Sequence, residues 1–133
     1  MRQNISSGTK WEGIAGYSRA VRVGNWISVA GTTAADEQTR PVAVGDPYGQ
    51  TVYVLRKIER ALVAAGASLS DVIRTRIFIV EHDHWEQVAR AHGEVFALIR
   101  PANTLVVVKA LIGPDYLVEI EADALVEPKQ DPR

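Results

Sequence analysis

Two stretches with the three-and-four spacing of an amphipathic helix break up a series of short β-branched runs, and this alternation limits the possible folds most. Val54, Leu55, Ile58, Ala61, Leu62 and Ala65 share one helical face, which predicts a helix from Thr51 to a stop at Gly66. Trp85, Val88, His92, Val95, Phe96 and Ile99 predict a second helix. Asp83 is its expected cap, Glu86 and Arg90 pair on its outer side, and Arg100-Pro101 ends it. Between the two, residues 72–80 alternate as a strand buried on at least one face does. Strands separated by helices cannot all be joined by hairpins, so crossovers are required.

The remaining runs complete the order. Residues 20–23 and 26–30 flank Gly24-Asn25, which accept the positive φ of a tight hairpin. Residues 31–49 carry two Pro, three Gly and a polar cluster, and read as a long loop of the kind that often serves function. Residues 105–111 and 117–126 are two last strands joined through Gly113-Pro114-Asp115, and the tail 127–133 reads as frayed. The expected architecture is an α+β domain over 1–133, ordered β-β-α-β-α-β-β, with both helices on one face of the sheet. The other face still carries apolar residues and calls for cover by further copies of the chain.

Composition removes several classes of function. Fifteen Lys and Arg against sixteen Asp and Glu leave a net charge of −1, which disfavours a broad nucleic-acid or lipid surface. The absence of cysteine excludes a thiol nucleophile, a Cys-ligated zinc and a disulfide. No apolar run approaches the roughly 20 residues of a membrane span, and the start lacks the apolar core of a signal peptide, so a cytoplasmic location is expected. No GxxxxGK[ST] or strand-linked GxGxxG is present.

Glu81-His82-Asp83-His84 is the densest group of metal-ligand types, but no third ligand stands at a fixed spacing; a solvated strand-to-helix loop is the favoured reading and no metal is expected. His92 falls on the apolar stripe, where a core histidine is favoured over a pocket role. Glu119 and Glu121 alternate with Val118 and Ile120, so in a strand both carboxylates share a side. Such a pair can separate its pKa values and supply an acid or base, although a strand with one wet face explains the spacing as well.

Five ordered blocks resemble the Rid family, also called the YjgF or L-PSP family. They are Gly16-Tyr17-Ser18-Arg19-Ala20-Val21, Ala30-Gly31, Ala64-Ala65-Gly66-Ala67-Ser68-Leu69-Ser70-Asp71-Val72, Arg100-Pro101-Ala102-Asn103-Thr104 and Val118-Glu119-Ile120-Glu121-Ala122. The resemblance implies a chorismate-mutase-like, YjgF-like fold, a homotrimer and pockets between subunits. It further implies cofactor-free hydrolysis of 2-aminoacrylate-type enamines and imines. By position, Tyr17 matches the pocket tyrosine, Gly31 the pocket-wall glycine and Glu119 the glutamate that holds or polarises water.

The sequence departs from the family where a substrate carboxylate is gripped, since Asn103 stands at the arginine position of Pro-Ala-Arg-[Ser/Thr]. Arg19, Ala89 and Leu105 also replace the family's Gln, Asn and Cys. Arg19 shares a face with Tyr17 in extended backbone and is a candidate for the displaced cation, with Arg100 a second candidate. The implied activity is imine or enamine deamination of a small metabolite by Tyr17, Gly31, Asn103 and Glu119. The alternatives are a non-catalytic metabolite-binding trimer and, more weakly, an endoribonuclease, which the charge balance disfavours.

Overall fold

The computed structural model describes residues 1–128; of the tail read as frayed, residues 129–133 lie outside the described residues. The chain runs β1 (Arg2–Ile5), α1 (Lys10–Ala15), β2 (Ala20–Val23), β3 (Trp26–Thr32), α2 (Pro47–Ala64), β4 (Val72–Ile79), α3 (Trp85–Phe96), β5 (Ala102–Val107) and β6 (Val118–Leu125). The strands form one six-stranded sheet in the order β1-β2-β3-β6-β4-β5. Among the described residues only β4 and β5 pair in parallel, and α3 is the crossover between them. The α+β order expected from the sequence is therefore present, with one strand and one short helix added at the N-terminus.

Both long helices contribute to one core. Val54, Leu55, Ile58 and Leu62 of α2 and Val88 and Phe96 of α3 are buried with Ile27, Val29, Ile77, Ile79, Val118 and Ile120 of the sheet. Each fully buried side chain of this kind contributes about 1.5 to 3 kcal/mol, which outweighs the weak local preference of short strands. The opposite face carries apolar residues as the sequence reading expected, with Trp26, Val106 and Leu125 exposed on it. Val21 and Phe78 are half-buried there, beside an ion-paired row made by Arg76, Glu121 and Asp123.

Several boundaries moved for identifiable reasons. Helix α2 begins at Pro47 rather than Thr51, because Asp46 Oδ1 accepts from Gly49 N at 2.8 Å and Pro47 fits a first helical turn. Gly31 lies in β3, at a register shift between Val29 and Thr32, not in the loop. A second shift between Val72 and Arg74 turns Val72 inward and leaves Ile73 exposed. Asp83 belongs to a short 3-10 turn, His82–His84, and does not cap α3; Trp85 is exposed, and Ala91 takes its place in the buried stripe. Among the described residues Glu86 and Arg90 form no ion pair, and Arg90 instead lies 4.9 Å from the centre of the Tyr48 ring. The fifth strand is Ala102–Val107 rather than 105–111, and β4 separates it from β6, so Gly113-Pro114-Asp115 joins strands that do not pair.

Gln50 ties this frame together and is fully buried. Its Nε2 donates to Asp115 O at 2.8 Å and to Val42 O at 3.3 Å, and its Oε1 accepts from Leu117 N at 2.8 Å. Gln50→Leu keeps the volume and strands these backbone groups. At about 1 to 3 kcal/mol for a buried polar group left unpaired, we expect a loss of about 2 to 4 kcal/mol, read from the denaturant midpoint. An unchanged midpoint would show that water replaces the amide.

Candidate active site

The site begins with the turn that delivers Tyr17. Glu12 is nearly buried, and its carboxylate accepts from Ser7 N and Oγ at 3.1 and 2.7 Å. Burial alone would raise its pKa, but the hydrogen bonds from Ser7 and its neighbours hold it below the ordinary value. Gly16, left-handed at φ 75, closes α1, and the amides of both Gly16 and Tyr17 return to Glu12 O. Tyr17 thus emerges exposed in the link between α1 and β2, with the Arg19 guanidinium 5.7 Å from its ring centre. Arg19 Nη1 is held by Gly31 O at 3.0 Å and Thr32 Oγ1 at 3.1 Å.

Glu119 completes this group. Alternation along β6 buries Val118 and Ile120 against the helices and turns Glu119 and Glu121 to the open face, as their spacing predicts. A Cβ at Gly31 would lie 3.1 Å from Glu119 Cδ and closer still to its oxygen, so glycine there is a condition of the carboxylate's position. Glu121 is paired with Arg76 at 3.1 Å, whereas among the described residues the half-buried Glu119 carboxylate accepts no hydrogen bond. Burial pushes its pKa above the ordinary 4.5; the Arg19 charge pulls the other way and the Glu121 charge adds to the rise. A carboxylate in this state is suited to take a proton from water and return it.

The structure brings Tyr17, Arg19, Gly31 and Glu119 together but leaves Asn103 on the other side of the sheet. Its Nδ2 donates to Thr75 Oγ1 at 3.0 Å, and that hydroxyl also bonds His92 Nε2 at 2.8 Å. Thr75 is fully buried on the helix side, while Glu119 faces away from the helices. No fixed spacing links Thr75, His92 and Asn103, so the sequence reading missed Thr75; His92, favoured there as a core histidine, is half-buried with Nε2 bonded to Thr75 Oγ1. Arg100 is exposed, with φ 57 in the left-handed region, and its amide closes α3 by donating to Phe96 O at 2.7 Å.

Burial lowers the pKa of His92 from its ordinary 6.5. A histidine that binds its proton less readily when folded contributes its full stability above the unfolded value of about 6.5, and that contribution is lost as pH falls below it. Wild-type stability should therefore decline from pH 7 to pH 5, and His92→Gln, whose amide can still meet Thr75, should flatten that part of the curve. Equal slopes in the two proteins would rule His92 out as the cause.

Among the described residues no three His, Asp or Glu side chains form a metal-binding group, and no helix is long and apolar enough to cross a membrane. His82 and Asp83 lie 3.3 Å apart on an exposed turn.

A mixed sheet with two helices on one face and a glutamate seated against a glycine on the other is the frame of a YjgF-like α+β protein. The family model described as Endoribonuclease L-PSP matches residues 8–126. A crystal structure from Mycobacterium tuberculosis, of a member of the YjgF/YER057c/UK114 family, is 47% identical with a TM-score of 0.86, covering 95% of this chain and all of that one. The 3-aminoacrylate deaminase RutC of Acinetobacter baylyi is 36% identical over 85% of this chain and 89% of its own. The structure of E. coli TdcF with bound serine is 25% identical with a TM-score of 0.76, over 84% of this chain and 88% of that one. The chain belongs to the Rid, or YjgF/L-PSP, family.

Proposed function

We propose that the protein hydrolyses the C=N bond of small imines, and of enamines that tautomerise to them, in a pocket completed by a second copy of the chain. The observation that carries this reading is the Glu119 carboxylate, half-buried against Gly31, free of hydrogen bonds among the described residues and facing the charge of Arg19, which lies over the Tyr17 ring. Water held by Glu119 adds to the imine carbon as the carboxylate takes one of its protons. Glu119 hands that proton to the nitrogen, giving a neutral carbinolamine, then takes the carbinolamine O–H proton and passes it to the amine as the C–N bond breaks, so that a carbonyl compound and ammonia leave. An imine is already electrophilic, so orientation of water and hydrogen bonds to the departing amine suffice.

Asn103 and Glu119 lie on opposite faces of one sheet, so a pocket using both draws them from different copies, and a homotrimer is the assembly this reading calls for. The relative named 3-aminoacrylate deaminase and the serine-bound E. coli structure support a small, amino-acid-derived substrate. Asn103 supplies neutral hydrogen bonds, which favours a substrate without a carboxylate at that end.

The test is ammonia release from 3-aminoacrylate and from 2-iminopropanoate generated by amino-acid oxidation. Turnover above the spontaneous rate, rising with pH as Glu119 ionises, is the expected result. Saturable binding of these compounds or their carbonyl products without any turnover would instead make the protein a metabolite-binding trimer.

A further inference from the structure

A cavity of about 250 Å³ lies on the helix side of the sheet, between the end of β1, the start of β2, helix α2 and the loop of residues 33–46. Three cations converge on it, namely Arg19, Lys57 and Arg60. Among the described residues none of the three has a carboxylate within ion-pair distance. Lys57 Nζ donates to Thr33 O at 2.8 Å and Ala35 O at 2.9 Å, which leaves one of its three hydrogens for the cavity. Arg19 Nε is buried and meets no acceptor among the described residues. Of the nearby acids, Asp36 turns its Oδ1 to the amides of Gln38 and Arg40, both at 2.9 Å, and Glu37 is exposed.

We propose that this cavity is a second binding site, distinct from the Glu119 pocket although Arg19 borders both, for a small organic carboxylate. Its acid group would meet Lys57 and Arg60, and its apolar body would lie on Ile5, Tyr53 and Ala61. The size supports a short acid, since pockets that take drug-sized ligands run from roughly 300 to 1,000 Å³. The electrostatics support an anion. Burial first, then the charges of Arg19 and Arg60, bring Lys57 down to about 8, with Asp36 opposing them. A bound carboxylate offsets both repulsions and holds Lys57 protonated. The groups facing Lys57 are Tyr53 and Arg60 on α2, Arg19 at β2, and Asp36 and Glu37 in the loop.

The test is titration of the ¹⁵N-labelled protein with butyrate, inorganic phosphate and n-butanol. Butyrate should produce saturable shifts at the amides of residues 5–9, 35–39 and 57–64. Phosphate, lacking the apolar body, and butanol, lacking the charge, should bind more weakly. Butyrate affinity should fall above pH 8 as Lys57 deprotonates, and Arg60→Met should weaken it by about tenfold through loss of a charge-assisted hydrogen bond. Lys57→Met removes two loop contacts as well as the charge, so exposed Arg60 keeps the test independent of folding. No saturable shift, shifts confined to the surroundings of Tyr17 and Glu119, phosphate binding as tight as butyrate, or Arg60→Met equal to wild type would each overturn the proposal.

Discussion

Asn103→Arg should raise kcat/KM for 2-iminopropanoate by about 30-fold to several thousandfold. A guanidinium can grip the substrate carboxylate with two charge-assisted bonds, whereas the Asn103 amide offers neutral ones of about half the strength. Gaining such a pair in a water-poor site is worth about 2 to 5 kcal/mol, and each 1.36 kcal/mol is about tenfold in rate. Room exists for the longer side chain, because Asn103 is exposed on the edge strand β5. The cost is the hydrogen bond to Thr75, which keeps His92 as a partner. An unchanged rate would mean that the carboxylate is already held elsewhere, with Arg19 the first residue to test.

Glu119→Gln should lower turnover of whichever imine is hydrolysed by about 100- to 10,000-fold, the usual contribution of a general acid or base. The amide matches the carboxylate in shape and fits the space that Gly31 leaves, yet cannot take a proton from water. Folding should not suffer. A carboxyl group whose folded pKa is raised contributes stability at low pH that is lost as pH rises through that value, so at pH 7 its ionised form weakens the fold. The variant should therefore melt at the same temperature as wild type or higher. Full activity in Glu119→Gln would remove Glu119 from the chemistry and with it the proposed mechanism.

The parts of the fold that were legible are those where burial and period coincide. The α2 stripe and the Val118, Ile120 and Ala122 alternation are buried as their spacing predicts, because the core rewards that pattern directly. Strand β1 was invisible because Arg2, Gln3 and Asn4 are polar and exposed, and only backbone pairing with β2 makes them a strand. The first turn of α2 was hidden by reading Pro47 as a loop residue, although an Asp followed by Pro is also the mark of a helix start.

The site divides in the same way. Tyr17 and Arg19 at i, i+2 and Glu119 and Glu121 at the same spacing are local relations that a sequence displays. Thr75, His92 and Asn103 meet across 17 and 28 positions, and the Lys57 cavity depends on how the loop returns over α2. No local spacing encodes contacts of that kind. The closeness of Gly31 to Glu119 entered only through the family resemblance, and the structure supplies its physical reason.

The central claim is that Glu119 of one copy and residue 103 of another serve the same pocket. Wild type co-expressed in equal amounts with the double variant Asn103→Arg, Glu119→Gln tests it directly. Random pairing of the two chains gives about a quarter of the pockets both an intact Glu119 and the introduced arginine. The account predicts 2-iminopropanoate hydrolysis in the mixed assemblies well above that of either protein purified alone. Activity no greater than the average of the two separate proteins would contradict it.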